Sequence, residues 1–160
     1  RGVADPLGRR RVQEPVLLLL AAVLAGRQVV PAGERVRHQR ELHRLRDLLH
    51  DVPICADESC HGIKTLSSLQ GKYEAINIKL DKTGGLTEAI TLKREAVKNG
   101  YKIMVGSMLA TSLSMAPALI LAQGVEFADL DGPLLLAKDR EPGLGYSGSV
   151  ISPAEAKLWG

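Results

Sequence analysis

The stretch Ala75-Ile-Asn-Ile-Lys-Leu-Asp-Lys-Thr-Gly-Gly-Leu-Thr-Glu-Ala89 decides the fold. It reads as a buried strand that ends on a lysine, then a Gly-Gly turn, then a helix. Side chains alternate along a strand, so Ile76 and Ile78 share one face and Asn77 and Lys79 share the other. A lysine at the C-terminal mouth of such a strand is poorly placed for packing. It is well placed to carry a proton. The plain alternative is a lysine that snorkels to solvent from a strand end, and for Lys79 taken alone that is the better reading.

Three more apolar runs end on a polar residue and lead into a turn or helix. Pro53-Ile-Cys-Ala56 ends on Asp57, Lys102-Ile-Met-Val-Gly106 on Ser107, and Val125-Glu-Phe-Ala128 on Asp129. The four polar positions are 22, 28 and 22 residues apart. That spacing holds one strand, one helix and two short loops. Strands that alternate with helices imply a parallel sheet. If the sheet curls into a (β/α) barrel, residues at the C-terminal strand ends face one mouth. Asp57, Lys79, Ser107 and Asp129 would then converge.

In the same order and at matching spacing stand Ala56-Asp-Glu-Ser59, Ile76-Asn-Ile-Lys-Leu80 with Thr83-Gly-Gly85, Met104-Val-Gly-Ser-Met108, and Asp129-Leu-Asp-Gly-Pro133. Together with the closing Leu158-Trp-Gly160, they resemble the C-terminal barrel half of the enolase superfamily. Within it they are most similar to the muconate-lactonizing subgroup, and there to dipeptide epimerases and N-acyl amino acid racemases. The resemblance covers about Leu45 to Gly160. It implies an α/β fold, the C-terminal half of a (β/α)7β TIM-like barrel with four βα units. It also implies an isomerase that removes and returns an α-proton beside a carboxylate, with Mg²⁺ as cofactor.

The roles that follow are those of the resemblance. Asp57 matches a magnesium ligand, and Lys79 matches one of two lysines that exchange the α-proton. Ser107 and Leu109 match positions that lie against the substrate, and Asp129 and Asp131 match the pair that holds the ammonium end of a dipeptide. The chemistry is coherent. A divalent cation on the substrate carboxylate acts as a Lewis acid, hard oxygen ligands suit Mg²⁺, and paired carboxylates suit a cationic amine. Each residue also has a plain structural reading: Asp57 as a helix cap, Asp129 and Asp131 as turn residues ahead of Gly132-Pro133. Two rivals remain. One is cycloisomerisation or dehydration on the same fold, which the acidic pair argues against. The other is a fragment without catalysis.

Residues 1–44 do not match the rest. The first fifty residues hold ten arginines, no lysine and no aromatic residue, whereas residues 51–160 hold nine lysines, two arginines and all five aromatics. Net charge is +5 in the first part (ten Arg against five Asp+Glu) and −2 in the second (eleven Lys+Arg against thirteen Asp+Glu). The basic pI of about 9.0 therefore belongs to the first part and is no nucleic-acid footprint for the second. Arg9-Arg-Arg11 followed by Val16–Ala25 has the order of a secretory signal, in a run too short to span a membrane. An ordinary helix and an out-of-frame translation upstream of Arg40–Arg46 are the other readings, and the last is preferred.

Two domains follow on that reading: an anomalous Arg-rich segment at 1–44 and the half-barrel at 45–160. A whole barrel needs roughly 200 residues or more, so the chain is expected to be a truncated part, inactive by itself. The expected partner is a small dipeptide or N-acyl amino acid. Neither nucleic acid nor membrane is expected, the location is cytoplasmic, and the parent enzyme is a homo-oligomer. Cys55 and Cys60 make no C-x-x-C and are expected to be reduced thiols. His61 reads as a loop residue, and Met104, Met108 and Met115 as packing. Leu109–Gln123 reads as an apolar helix that Pro117 breaks or kinks.

Overall fold

The computed structural model of the protein describes residues 53–160. The readings of residues 1–44 as a signal, a helix or an out-of-frame stretch lie outside the described residues. Four strands form one parallel sheet: β1 (Cys55–Ala56), β2 (Ala75–Ile78), β3 (Lys102–Val105) and β4 (Phe127–Ala128). They lie in the order β1-β2-β3-β4, with Cys55 beside Ala75, Ala75 beside Lys102, and Met104 beside Phe127. Sequence order and spatial order agree, as they do when successive βα units wind in one direction.

All four residues of β2 are buried. A parallel strand is covered on both faces, so it needs no polar side. Ile76 and Ile78 point to the larger core with Ile103 and Val105. Helices α1 (Ile63–Leu69) and α3 (Leu86–Lys98) close that core with Leu66, Leu92 and Ala96. The other face carries a smaller cluster of Cys55, Ala75 and Met104, with Phe127 packed against it.

The lysine strand does not run straight into the long helix. A short helix α2 (Leu80–Thr83) comes first, with Lys79 as its extended N-cap residue at φ −119°, ψ 130°. Gly84 then takes φ 80° and Gly85 φ 127°, conformations that side chains resist, and α3 begins. The Gly-Gly pair is a turn, as its composition implies.

Helix α4 runs from Ser112 to Leu121 with Pro117 inside it, so of the expected break or kink the break does not occur. The carbonyl that loses its N–H partner is that of Leu113, an exposed residue that water can serve. Beyond β4 the chain forms a 3₁₀ turn (Gly132–Leu135), an antiparallel hairpin of β5 (Tyr146–Ser147) and β6 (Val150–Ile151), and a last short helix, α5 (Ala156–Trp159). The fourth strand is thus followed by a turn and a hairpin in place of a long helix. Tyr146 ties the hairpin back by donating its hydroxyl to the carbonyl of Leu130 at 2.9 Å. No helix among the described residues is long and apolar enough to cross a membrane.

Candidate functional site at the strand ends

Asp57 follows β1 and Lys79 follows β2, and neighbouring parallel strands bring them together. Lys79 Nζ lies 3.0 Å from Asp57 Oδ2. Lys79 is 9% exposed, so it does not snorkel to solvent. Asp57 caps no helix, since the N-cap of α1 is Gly62.

A second lysine shares the carboxylate. Lys82 Nζ stands 2.8 Å from Asp57 Oδ1 and 2.6 Å from the Asp57 main-chain carbonyl. It also donates to the carbonyl of Asn77 at 3.3 Å. Burial pushes the Asp57 carboxyl up, but the ammonium groups of Lys82 and Lys79 outweigh that and hold it below its ordinary value. Asp57 is therefore an ionised carboxylate with an ammonium on each oxygen.

Sequence reasoning passed over Lys82. Lys79 and Lys82 are three residues apart, a spacing that puts both on one side only because the short helix α2 follows Lys79 directly.

Asp129 continues from β4, its N–H donating to the carbonyl of Val105 at 2.9 Å. Ser107, which follows β3, donates its hydroxyl to the Asp129 carbonyl at 3.4 Å. Asp131 begins the 3₁₀ turn, and its carbonyl accepts from Leu134 N at 2.8 Å. Its turn role is thus real, yet the carboxylate makes no capping hydrogen bond. That carboxylate interacts with Asp129 instead. Displacement of water, then the charge of Asp131 and the hydrogen bond with it, push the Asp129 carboxyl above its ordinary value. Lys79 opposes this and Asp57 adds to it, so the two carboxylate centres feel each other across one mouth.

Leu109 is 64% exposed and Met108 is exposed beside it, on the loop that leads into α4. Met108 is therefore not core packing, unlike Met104 and Met115, which are buried. Cys55 and Cys60 are free and buried. Burial first, with Asp57 adding to it, pushes the Cys55 thiol up to about 12, and Cys60 moves the same way. Neither is a nucleophile at neutral pH. Glu58 and His61 are exposed loop residues.

Among the described residues, no three His, Cys, Asp or Glu side chains gather as a metal site. Asp57 suits Mg²⁺ in kind, as an ionised hard-oxygen donor, and each of its carboxylate oxygens is paired with a lysine in this structure.

A parallel α/β half-barrel with a lysine–carboxylate pair and an acidic pair at its strand ends defines the class of protein. The family described as enolase C-terminal domain-like matches residues 28–146, and the chain belongs to it. An N-acetyl-D-glutamate racemase of Pseudoalteromonas is 45% identical over 152 residues, covering 94% of this chain and 46% of that protein. The L-Ala-D/L-Glu epimerase of Escherichia coli K12 is 54% identical over 103 residues, covering 64% and 32%. The chain thus spans about a third to a half of the length of these curated relatives. The family match and the Pseudoalteromonas match both extend into the arginine-rich stretch.

An enolase family member from Agrobacterium tumefaciens with homology to dipeptide epimerases, solved with sodium and L-Ala-L-Glu, aligns with a TM-score of 0.72 at 58% identity, over 82% of this chain and 38% of its own. A Cytophaga hutchinsonii dipeptide epimerase, solved with Mg and D-Ala-L-Val, shares the fold at a TM-score of 0.58 and 23% identity, over 76% and 38%.

Proposed function

We propose that this chain carries part of the site of a dipeptide epimerase, which removes the α-proton beside a carboxylate and returns it from the other face. The observation that supports this most is Lys79, buried at a strand end and 3.0 Å from Asp57, in the same mouth as the Asp129–Asp131 pair. An α-proton beside a carboxylate is a very weak acid, so its removal needs a base held against it. Lys79 is that base for one isomer as the amine, and it returns a proton to the other isomer as the ammonium. Asp129 and Asp131 accept hydrogen bonds from the ammonium group of a dipeptide. Ser107 and Leu109 lie on the loop after β3 and contact the substrate's body. Mg²⁺ is the cofactor on this reading, with Asp57 among its ligands, and it supplies positive charge at the substrate carboxylate when bound.

Similarity to proteins named as epimerases and racemases supports the same reaction class. A transplant tests it. Residues 53–160 replace the matched segment of the Escherichia coli relative, and the chimera is assayed for interconversion of L-Ala-D-Glu and L-Ala-L-Glu. Turnover within about tenfold of that relative, or about 1.4 kcal/mol in barrier, is the expected result. A folded chimera that interconverts neither isomer would end this reading.

A further inference from the structure

Asp129 and Asp131 are exposed, and Leu130 between them is buried at 2% exposure. The main chain that carries the two carboxylates is held at three successive carbonyls. The Asp129 carbonyl accepts from the Ser107 hydroxyl at 3.4 Å. The Leu130 carbonyl accepts from the Tyr146 hydroxyl at 2.9 Å, and the Asp131 carbonyl from Leu134 N at 2.8 Å. The next residue, Gly132, is buried against the loop after β3. A β-carbon there would stand 2.8 Å from the Met108 carbonyl oxygen, 3.4 Å from Ala110 N and 3.4 Å from Ser107 Oγ. Gly132 is not among the glycines with positive φ, so its place is a matter of space alone. Ser107 joins the two contacts: its hydroxyl meets the Asp129 carbonyl and also lines the seat of Gly132.

We propose that Gly132 is a positioning residue, the seat that sets the spacing of Asp129 and Asp131 for one ammonium group, an inference that rests on the epimerase reading for its consequence in substrate binding. A methyl group at position 132 has two ways out. The turn lifts off the loop and carries Asp131 with it, or the loop gives way and draws the Ser107 hydroxyl from the Asp129 carbonyl. Either one changes the distance between the carboxylates. Opening the contact from 2.8 Å to an ordinary 3.4 Å is a shift of 0.6 Å. A binding site tolerates displacements on the order of 0.5 Å, so the shift is large enough to matter. The ammonium belongs to one residue of the dipeptide and the reacting α-carbon to the other. The loss therefore falls on binding and spares the chemical step.

Two measurements decide this. The first uses the chimera described above and compares L-Ala-D-Glu with propionyl-D-glutamate, the same molecule with hydrogen in place of the amino group. Gly132→Ala is expected to raise KM for the dipeptide about tenfold, the scale of one charge-assisted hydrogen bond, with kcat held within about twofold. The inhibition constant of propionyl-D-glutamate, which has no ammonium group, is expected to stay within about twofold. An equal rise for both molecules points to general damage and overturns the positioning role, as does no rise for the dipeptide.

The second compares crystal structures of the full 160-residue chain with and without Gly132→Ala. The distance between the Asp129 and Asp131 carboxylates is expected to change by on the order of 0.5 Å. Carboxylates that superpose overturn the seat. If Gly132→Ala does not fold, Tyr146→Phe takes its place in both measurements, since it frees the Leu130 carbonyl between the two aspartates, and the same outcomes decide. If the unsubstituted chimera interconverts neither isomer, the epimerase reading fails, and the spacing of the carboxylates alone decides whether Gly132 is the seat.

Discussion

A β-carbon placed on Gly106 would stand 2.7 Å from Asn77 Oδ1 and 2.8 Å from Asn77 Nδ2. Gly106 closes β3, where its N–H donates to the Ile78 carbonyl at 3.1 Å, and the Asn77 amide fills the space its side chain would take. Asn77 is 2% exposed, and its Oδ1 has no hydrogen-bond partner. The amide thus sits one layer below Lys79, on the same side of the strand. Gly106→Ala is expected to destabilise the fold by about 1–3 kcal/mol, the usual cost of overpacking. Urea unfolding should show a lower midpoint with an unchanged slope. An unchanged midpoint would mean that the amide swings aside freely.

Asp139 serves a second, purely structural network. Its carboxylate accepts from Ser112 N at 2.9 Å and from the Ser112 hydroxyl, at the start of α4. The same hydroxyl accepts from Leu144 N at 2.8 Å. Burial alone would push the Asp139 carboxyl up, but the hydrogen bonds from Ser112 and Arg140 and the Arg140 charge hold it below the ordinary 3.8. A lowered folded-state pKa means that the stabilisation is complete above 3.8 and is lost as pH falls through the lowered value. Asp139→Asn should therefore lower the thermal midpoint at neutral pH and flatten its decline below about pH 4. Parallel curves for the two proteins across that range would contradict the assignment.

The strand ends were readable in the sequence because each strand is a short apolar run closed by one polar residue. Asp57, Lys79, Ser107 and Asp129 could be placed on that pattern alone. Helix α2 could not be seen, since the four residues Leu80–Thr83 show no periodicity. Lys82 was hidden with it. The spacing Lys79–Lys82 reads as helical only once the chain is known to turn there. Pro117 does not break α4 because its penalty falls on the carbonyl of Leu113, an exposed residue. Met108 misled because its neighbours in sequence are apolar, while the loop carries it outward. After β4 the hairpin rests on Tyr146 reaching Leu130, a contact over sixteen residues that no local pattern announces.

The acidic pair has its own pH signature. Asp129 is pushed above the ordinary 3.8 by loss of water and by Asp131, so it becomes neutral earlier as pH falls. A dipeptide ammonium needs the ionised form. In the chimera, KM for L-Ala-D-Glu should therefore rise on the acid side at a pH above that of an unperturbed Asp. Asp131→Asn removes the like charge, so the acid rise should move to lower pH. At neutral pH KM for the same variant should rise roughly tenfold or more, the value of one charge-assisted hydrogen bond. An acid limb that stays in place would show that Asp131 does not act on Asp129.

Lys79→Ala is the sharpest test of the site. The residue sits at the end of β2, buried, with Asp57 Oδ2 as its ion-pair partner at 3.0 Å. If Lys79 carries the proton on one face, its loss stops interconversion in the chimera, since epimerisation needs both faces. A general acid–base group is worth roughly 10²–10⁴ in rate, and a loss of that size is expected in kcat, with KM little changed. Exchange of the α-proton with D₂O should survive for the isomer whose proton is removed from the opposite face. It should vanish for the isomer that Lys79 serves. Loss of packing would reduce both exchange reactions alike, so the asymmetry separates chemistry from structure. A Lys79→Ala chimera that interconverts both isomers at near the parental rate leaves Lys79 as only the counter-ion of Asp57, and the proton carrier must then be sought elsewhere.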